Sequence, residues 1–288
     1  MPFIHVNGTD IHCHALGRGP AVVMVHPPFI ASSIFNYLKH DLSRDHRVVV
    51  FDIRGHGHSP AGDASLTIPL IAEDIRQLLD RLDIESAYVC GYSCGAMPVL
   101  EALLSAPGRF RGAVLLSGMS ELTDSRSRMQ MRAGAMLRGL TPEAVVVPVA
   151  LGNADSRTTF GVLHAEGKIG DARRCREYAD SCLRYSCTGR LNRIDHPVLL
   201  LSGAEDGAGC AYARALRDRL RESEWYRIRK AGHHLPTKAP DQTSDVIRAW
   251  IAKLEGRDAA PEFAGPEGLA EVLMADEADA AAQEAERS

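Results

Sequence analysis

The chain has 288 residues, 45% of them hydrophobic and 24% charged. That is enough apolar material to bury one large α/β core, and too much for global disorder. Thirty-three Lys and Arg stand against 37 Asp and Glu, a net charge of −4. No basic surplus exists to neutralise phosphates, which excludes nucleic acid as the expected partner. No apolar run reaches the roughly 18 residues of a membrane span. The opening MPFIHVNGTDIHCH has no basic segment ahead of an apolar one, as a secretory signal would. The seven cysteines are odd in number and lack paired spacing, as in reduced thiols. The expectation is a cytoplasmic protein with a small-molecule partner and no membrane contact; the oligomeric state is not legible.

In chain order, FIHV and IHCHA flank Asn7-Gly8-Thr9-Asp10 and predict a hairpin. AVVMVH (21–26) and RVVVFD (47–52) are continuous apolar runs, the pattern of strands buried on both faces. A helix is expected around 33–43. Another is expected over 68–82, where Ile71, Ile75, Leu78, Leu79 and Leu82 share a face. AYVC (87–90) predicts a strand, 94–106 a helix and GAVLLS (112–117) a strand. The rhythm returns with a strand at 197–203, a helix near 210–221, a strand at 225–229 and a helix at 240–255. Alternating strands and helices imply a doubly wound, mostly parallel sheet.

Two stretches interrupt this rhythm. Residues 121–193 hold eleven arginines and Lys168 against eight acids, with helix formers and no strong strand. Residues 257–288 hold nine acids and two bases and are Ala-rich. This tail reads as a solvating, flexible segment. A helix within it would open at Pro266 and present Leu269, Val272 and Leu273 as a narrow stripe.

The segment richest in chemistry is Gly91-Tyr92-Ser93-Cys94-Gly95, a G-x-S-x-G between a predicted strand and a predicted helix. A sharp strand-to-helix turn needs small flanking residues, which Gly91 and Gly95 supply. Ser93 would stand at the mouth of the helix, where free N–H groups favour an anion. The Cys94 N–H would face that anion, with its side chain turned into the helix. A serine hydroxyl needs a base and the base an orienting acid. The strand at 197–203 runs into Glu205 and Asp206; the last strand is followed by Gly232-His233-His234. Asp206 is the expected acid, with Glu205 and Asp124 as alternatives. His233 is the expected base, with His234 as its competitor. The order Ser93, Asp206, His233 is that of G-x-S-x-G hydrolases.

These residues resemble the α/β-hydrolase fold superfamily. The landmarks are His26 closing a strand, the run Phe51-Asp52-Ile53-Arg54-Gly55-His56-Gly57-His58-Ser59, the Ser93 elbow, and the Gly203–Asp206 and Gly232–His233 pair. The resemblance implies a hydrolase core over 1–120 and 191–256, with a helical cap inserted at 121–190 and a tail at 257–288. It also implies that the Arg54–Ser59 loop is a structural turn, so His56 and His58 are loop residues. One landmark departs. The family's His-Gly after this strand is followed by a residue whose N–H serves the oxyanion. Here His26-Pro27-Pro28-Phe29 places a proline, which has no N–H, at that position. Either the loop is shifted and Phe29 donates, or Cys94 serves alone. The two prolines also admit a cis bond that simply stiffens the turn.

Other candidates are weaker. Cys175, Cys182 and Cys187 lack metal-ligand spacing, and no phosphate-binding glycine motif is present, so no metal or cofactor is expected. Arg173, Arg174 and Arg176 read as a solvated helix face. Met129, Met131, Met136, Leu137 and Leu140 would give the cap an adaptable apolar wall. The expected activity is hydrolysis of a small carboxylic ester, thioester or lactone. The alternatives are a carbon–carbon hydrolase or lyase or a cofactor-free peroxidase on the same fold, and a non-catalytic ligand-binding protein.

Overall fold

The computed structural model describes residues 3–257 and 272–274. Among the described residues, nine strands form one sheet in the order β1-β2-β4-β3-β5-β6-β7-β8-β9. The hairpin is β1 (Phe3–Val6) and β2 (Thr9–Leu16), antiparallel across Asn7-Gly8. Both turn residues have positive φ, 47° and 77°, as a two-residue hairpin turn requires. The central strands are β3 (Ala21–Val25), β4 (Arg47–Phe51), β5 (Ala87–Tyr92), β6 (Phe110–Leu116), β7 (Val198–Gly203) and β8 (Ser223–Ile228). They pair in parallel throughout.

Every second residue of these strands enters a different core. Val22, Met24, Val48, Val50, Leu199 and Leu201 pack with α1 (Asn36–Leu42) and α10 (Pro240–Leu254). Val23, Val25, Val49, Phe51, Val198 and Leu200 pack with α2 (Ile68–Arg81) and α3 (Ala96–Ser105). Two buried faces explain why these segments read as continuous apolar runs. Thr67 caps α2, its side chain accepting from the Leu70 N–H.

Between β6 and β7 the chain adds no strand to the sheet. It forms α4 (Ser125–Arg138), α5 (Pro142–Asn153), α6 (Arg157–Ile169) and α7 (Ala172–Arg184). Helix α4 packs on α7 and α5, and α5 on α6. An isolated bridge, Glu121 to Ser186, closes the base of this insertion. After β7 come α8 (Gly207–Arg217) and, past β8, a short α9 (Leu235–Lys238) that the pattern does not announce.

In the tail, Val272 and Leu273 do not continue a helical stripe. Val272–Met274 is β9, antiparallel to β8. Without it β8 would be an edge with unpaired backbone groups, and pairing there overrides the helical spacing. Pro266, Leu269 and the rest of the tail fall outside the described residues.

Candidate active site

Strand β5 runs two residues further than the sequence pattern suggests and delivers Ser93 directly into a short turn ahead of α3. Ser93 has φ 53°, a left-handed conformation strained for a residue with a side chain. The flanking glycines make that turn sterically allowed. A Cβ on Gly91 would lie 2.6 Å from the Gly95 carbonyl oxygen, and one on Gly95 would lie 2.2 Å from that of Val25. The Cys94 side chain is buried, with Sγ 3.9 Å from Met119 Sδ. Only its backbone is left to face a ligand.

The loops at the carboxyl ends of β7 and β8 bring the other two residues together, as expected for an open parallel sheet. His233 Nδ1 lies 2.8 Å from Asp206 Oδ2, and His233 Nε2 lies 3.0 Å from Ser93 Oγ. An ionised Asp206 only accepts, so Nδ1 carries the proton and Nε2 accepts from the serine hydroxyl. Asp206 also caps α8, its Oδ1 accepting from the Gly209 N–H at 3.0 Å. Burial pushes its carboxyl up, but the hydrogen bonds from His233 and the Gly209 N–H outweigh this and hold it below the usual range. Of the alternative acids, Asp124 is engaged elsewhere and Glu205 is exposed to solvent. Asp124 caps α4 through the Ser127 N–H and accepts from the Tyr212 hydroxyl, both at 2.7 Å. Glu205 donates its backbone N–H to the Ala231 carbonyl.

The loop after β3 is pinned from two sides. His26 is fully buried; its Nδ1–H donates to the Pro27 carbonyl and its Nε2 accepts from the Ile53 N–H at 3.0 Å. Burial, chiefly, pushes its imidazole down to about 3, so it is neutral. The Tyr178 hydroxyl of α7 donates to the His26 carbonyl at 3.0 Å. The Pro27 and Pro28 bonds are trans, so the turn does not rest on a cis proline. Phe29 has φ 68°, and its ring is buried against Ala135 and Val145 of the inserted helices. Its N–H has no hydrogen-bond acceptor among the described residues.

A cavity of about 670 Å³ lies between the inserted helices and His233. Its apolar wall is Phe29, Met119, Leu137, Val145, Pro148 and Val149. The expected methionine wall is therefore mostly wrong. Met129 and Met136 are 65% and 61% exposed, Leu140 faces solvent too, and Met131 packs into the core; only Leu137 lines the cavity. Helix α4 turns its other face inward because its small residues, Ala133 and Gly134, let it approach Phe29 closely.

Arg174 also departs from the expected solvated face. It is buried and donates to the carbonyls of Ala61, Gly62 and Asp63 and to Glu177. Its neighbours Arg173 and Arg176 do remain exposed, pairing with Glu177 and Asp180.

Sequence reasoning missed a second polar group at the cavity, formed by Tyr92, Asn153 and His234. The Tyr92 hydroxyl lies 2.9 Å from Asn153 Oδ1 and 2.9 Å from His234 Nδ1. The His-His doublet was its only signal. Among the described residues, one group of side chains is compact enough to hold a metal: His12, Asp52 and His58. Asp52 Oδ2 already accepts from His12 Nδ1 at 2.9 Å and from the His58 N–H at 3.0 Å. Asp52 is thus occupied as the anchor of the His56–Ser59 loop.

A family model described as alpha/beta hydrolase fold matches residues 13–140. The structure superposes on an enol-lactonase from Burkholderia xenovorans with a TM-score of 0.78, covering 87% of this chain and 100% of that one. The chain has the α/β-hydrolase fold. At 20% identity to the enol-lactonase, that likeness is one of fold. Among sequence relatives, the chain is 27% identical to polyketide synthase ThaQ of Burkholderia thailandensis over 75% of its own length and 11% of that protein's. It is 37% identical to an epoxide hydrolase of Caballeronia sordidicola over 40% of its own length and 36% of the relative's. The chain therefore spans about a tenth and about a third of these two relatives. No helix among its described residues is long and apolar enough to cross a membrane.

Proposed function

We propose that this enzyme of the α/β-hydrolase class is a serine hydrolase, cleaving a small carboxylic ester, thioester or lactone. One observation carries this: Ser93, His233 and Asp206 form a hydrogen-bonded line of 3.0 and 2.8 Å, and His233 and Asp206 line the cavity beneath the inserted helices. Ser93 Oγ attacks the carbonyl carbon as His233 Nε2 takes its proton. Asp206 holds the imidazole in the required tautomer and stabilises the imidazolium. The C–O or C–S bond breaks as His233 returns the proton to the leaving group, leaving an acyl ester on Ser93. Water, deprotonated by His233, then attacks that ester and frees the acid. The N–H groups of Cys94 and Phe29 receive the oxyanion. The unpaired Phe29 N–H supports a donor shifted by one residue, past Pro28. Helices α4–α7 act as the cap. The lactone option is in keeping with the enol-lactonase likeness.

A fluorophosphonate probe, read by intact mass on the wild type and on Ser93→Ala, tests the nucleophile. One adduct on the wild type, mapped to Ser93 and absent from the variant, is expected. A folded wild type that takes no adduct would overturn the acyl-enzyme mechanism.

A further inference from the structure

The Tyr92–Asn153–His234 group has one arrangement of protons that satisfies all its bonds. Asn153 Nδ2 donates to the Val149 carbonyl at 2.9 Å, which fixes the amide orientation and turns Oδ1 toward Tyr92. Oδ1 only accepts, so the Tyr92 hydroxyl gives it its single proton. Burial, chiefly, raises the Tyr92 phenol well above its usual range, so that proton stays in place. The phenol oxygen is then an acceptor toward His234, and His234 Nδ1 must be the donor. Further bonds hold this frame. The Thr237 hydroxyl donates to the Asn153 carbonyl at 2.6 Å, and Tyr92 directly precedes the strained Ser93.

With the proton on Nδ1, His234 Nε2 carries a lone pair. It has no hydrogen-bond partner among the described residues. His234 lines the cavity, and Nε2 would stand 3.4 Å from a Cβ built on Gly152 in the cavity wall. The rings of His233 and His234 are 5.5 Å apart at 86°, so one imidazole addresses Ser93 while its neighbour addresses the cavity. We propose that His234 Nε2 is a specificity acceptor, and that the enzyme selects acyl groups bearing a hydroxyl or amide N–H a few bonds from the scissile carbonyl. This rests on the serine-hydrolase reading. Burial and the neighbouring His233 also push the His234 imidazole down to about 4, which keeps Nε2 an acceptor at neutral pH. An apolar acyl chain would fill the same space but leave this nitrogen desolvated and unpaired, and such sites discriminate strongly.

The test compares kcat/KM for the p-nitrophenyl esters of β-hydroxybutanoate and butanoate. Wild type is expected to favour the hydroxy ester by roughly tenfold, the scale of one well-placed hydrogen bond. In His234→Phe the ratio should fall to near one. In His234→Gln, whose Oε1 also accepts, part of it should return. A ratio unchanged in His234→Phe, or an equal loss on both esters, would overturn the proposal. Imidazole ¹⁵N shifts give a readout that needs no turnover: protonated Nδ1 is expected, moving to the reverse tautomer or a mixture in Tyr92→Phe. An Nε2–H tautomer in the wild type would also overturn it. If wild type opens neither ester and takes no fluorophosphonate, the triad reading fails by itself. The tautomer, and an Nε2 shift on adding β-hydroxybutanoate but not butanoate, would still decide the role of His234.

Discussion

The sheet and the inserted helices are joined to themselves and to each other by different forces. Within the sheet, strand residues alternate between two apolar cores, and the bonds that matter are backbone ladders. At the insertion, buried polar side chains reach carbonyls far away in sequence. Arg138 donates to the carbonyls of Gly167 and Gly170, Arg174 to those of residues 61–63, and Tyr178 to that of His26. Apolar packing is non-directional and tolerates small shifts. A side-chain-to-carbonyl bond fixes one placement, and losing it leaves a buried group unpaired. The residues proposed to react hang on the sheet, whereas most of the cavity wall hangs on the insertion. Chemistry, stability and substrate fit should therefore be separable by mutation.

The largest effect should come from Asp206→Asn. The Asn side-chain oxygen can still cap α8, so the fold should keep its melting temperature to within a few degrees. The amide N–H₂ faces His233 Nδ1 and imposes the wrong tautomer, and kcat on an activated ester should fall by about 10⁴. A drop in both rate and melting temperature would mean that the site and the sheet are not separable there.

Next is Asp74→Asn, which strikes the sheet unit away from the site. Arg54 and Asp74 are 1% and 3% exposed, and Arg54 Nε donates to Asp74 Oδ2 at 2.7 Å. Together with Asn7 they tie the loop after β4 to α2 and the first hairpin. Neutralising one partner leaves a buried guanidinium uncompensated, a loss of about 3–5 kcal/mol by urea unfolding. Protein that remains folded should label at Ser93 as fully as wild type.

These two regions were not equally legible in the sequence. The strands stood out because burial on two faces leaves no polar interruption. The elbow stood out because only glycine fits beside the Gly95 and Val25 carbonyls. Ser93, Asp206 and His233 each follow a strand, so a linear pattern singles them out as candidates. Nothing linear marks Arg174 as buried. It forms an i,i+3 pair with Glu177 like any surface arginine, and residues distant in sequence, Gly55 and the loop at 61–63, cover it. Nor does the pattern reveal that Met129 and Met136 face outward. Helix α4 is oriented by Phe29, a hundred residues earlier and itself in a left-handed conformation. Asn153 has meaning only once Tyr92 and His234 lie beside it.

Arg174→Met tests the attachment of the insertion directly. It removes the bonds to the Ala61, Gly62 and Asp63 carbonyls while keeping the length of the side chain. A loss of about 1–3 kcal/mol in urea is expected. Because the cavity wall shifts and the triad does not, KM should rise more than kcat falls. A fall in kcat alone would place Arg174 in the orientation of the reacting groups instead.

The last test lies at the seam and is read against pH. His26 and His56 are fully buried, 5.3 Å apart, and the His56 ring meets Tyr178 of α7 edge-on at 5.6 Å. Burial, chiefly, pushes their imidazoles down to about 3 and about 4, from 6.5. Above 6.5 neither state of the chain is protonated there, and the seam keeps its full stability. As pH falls below 6.5 the unfolded chain binds protons that the fold refuses. Each histidine then removes about 1.4 kcal/mol per pH unit until its folded form titrates. His56 should stop contributing near pH 4 and His26 near pH 3. Urea unfolding of wild type between pH 7.5 and 4.5 should show this slope, and His56→Gln should lose the share of one histidine. If the variant's slope matched wild type, His56 would not be held neutral. The joint between sheet and insertion would then be no more acid-sensitive than the rest of the molecule.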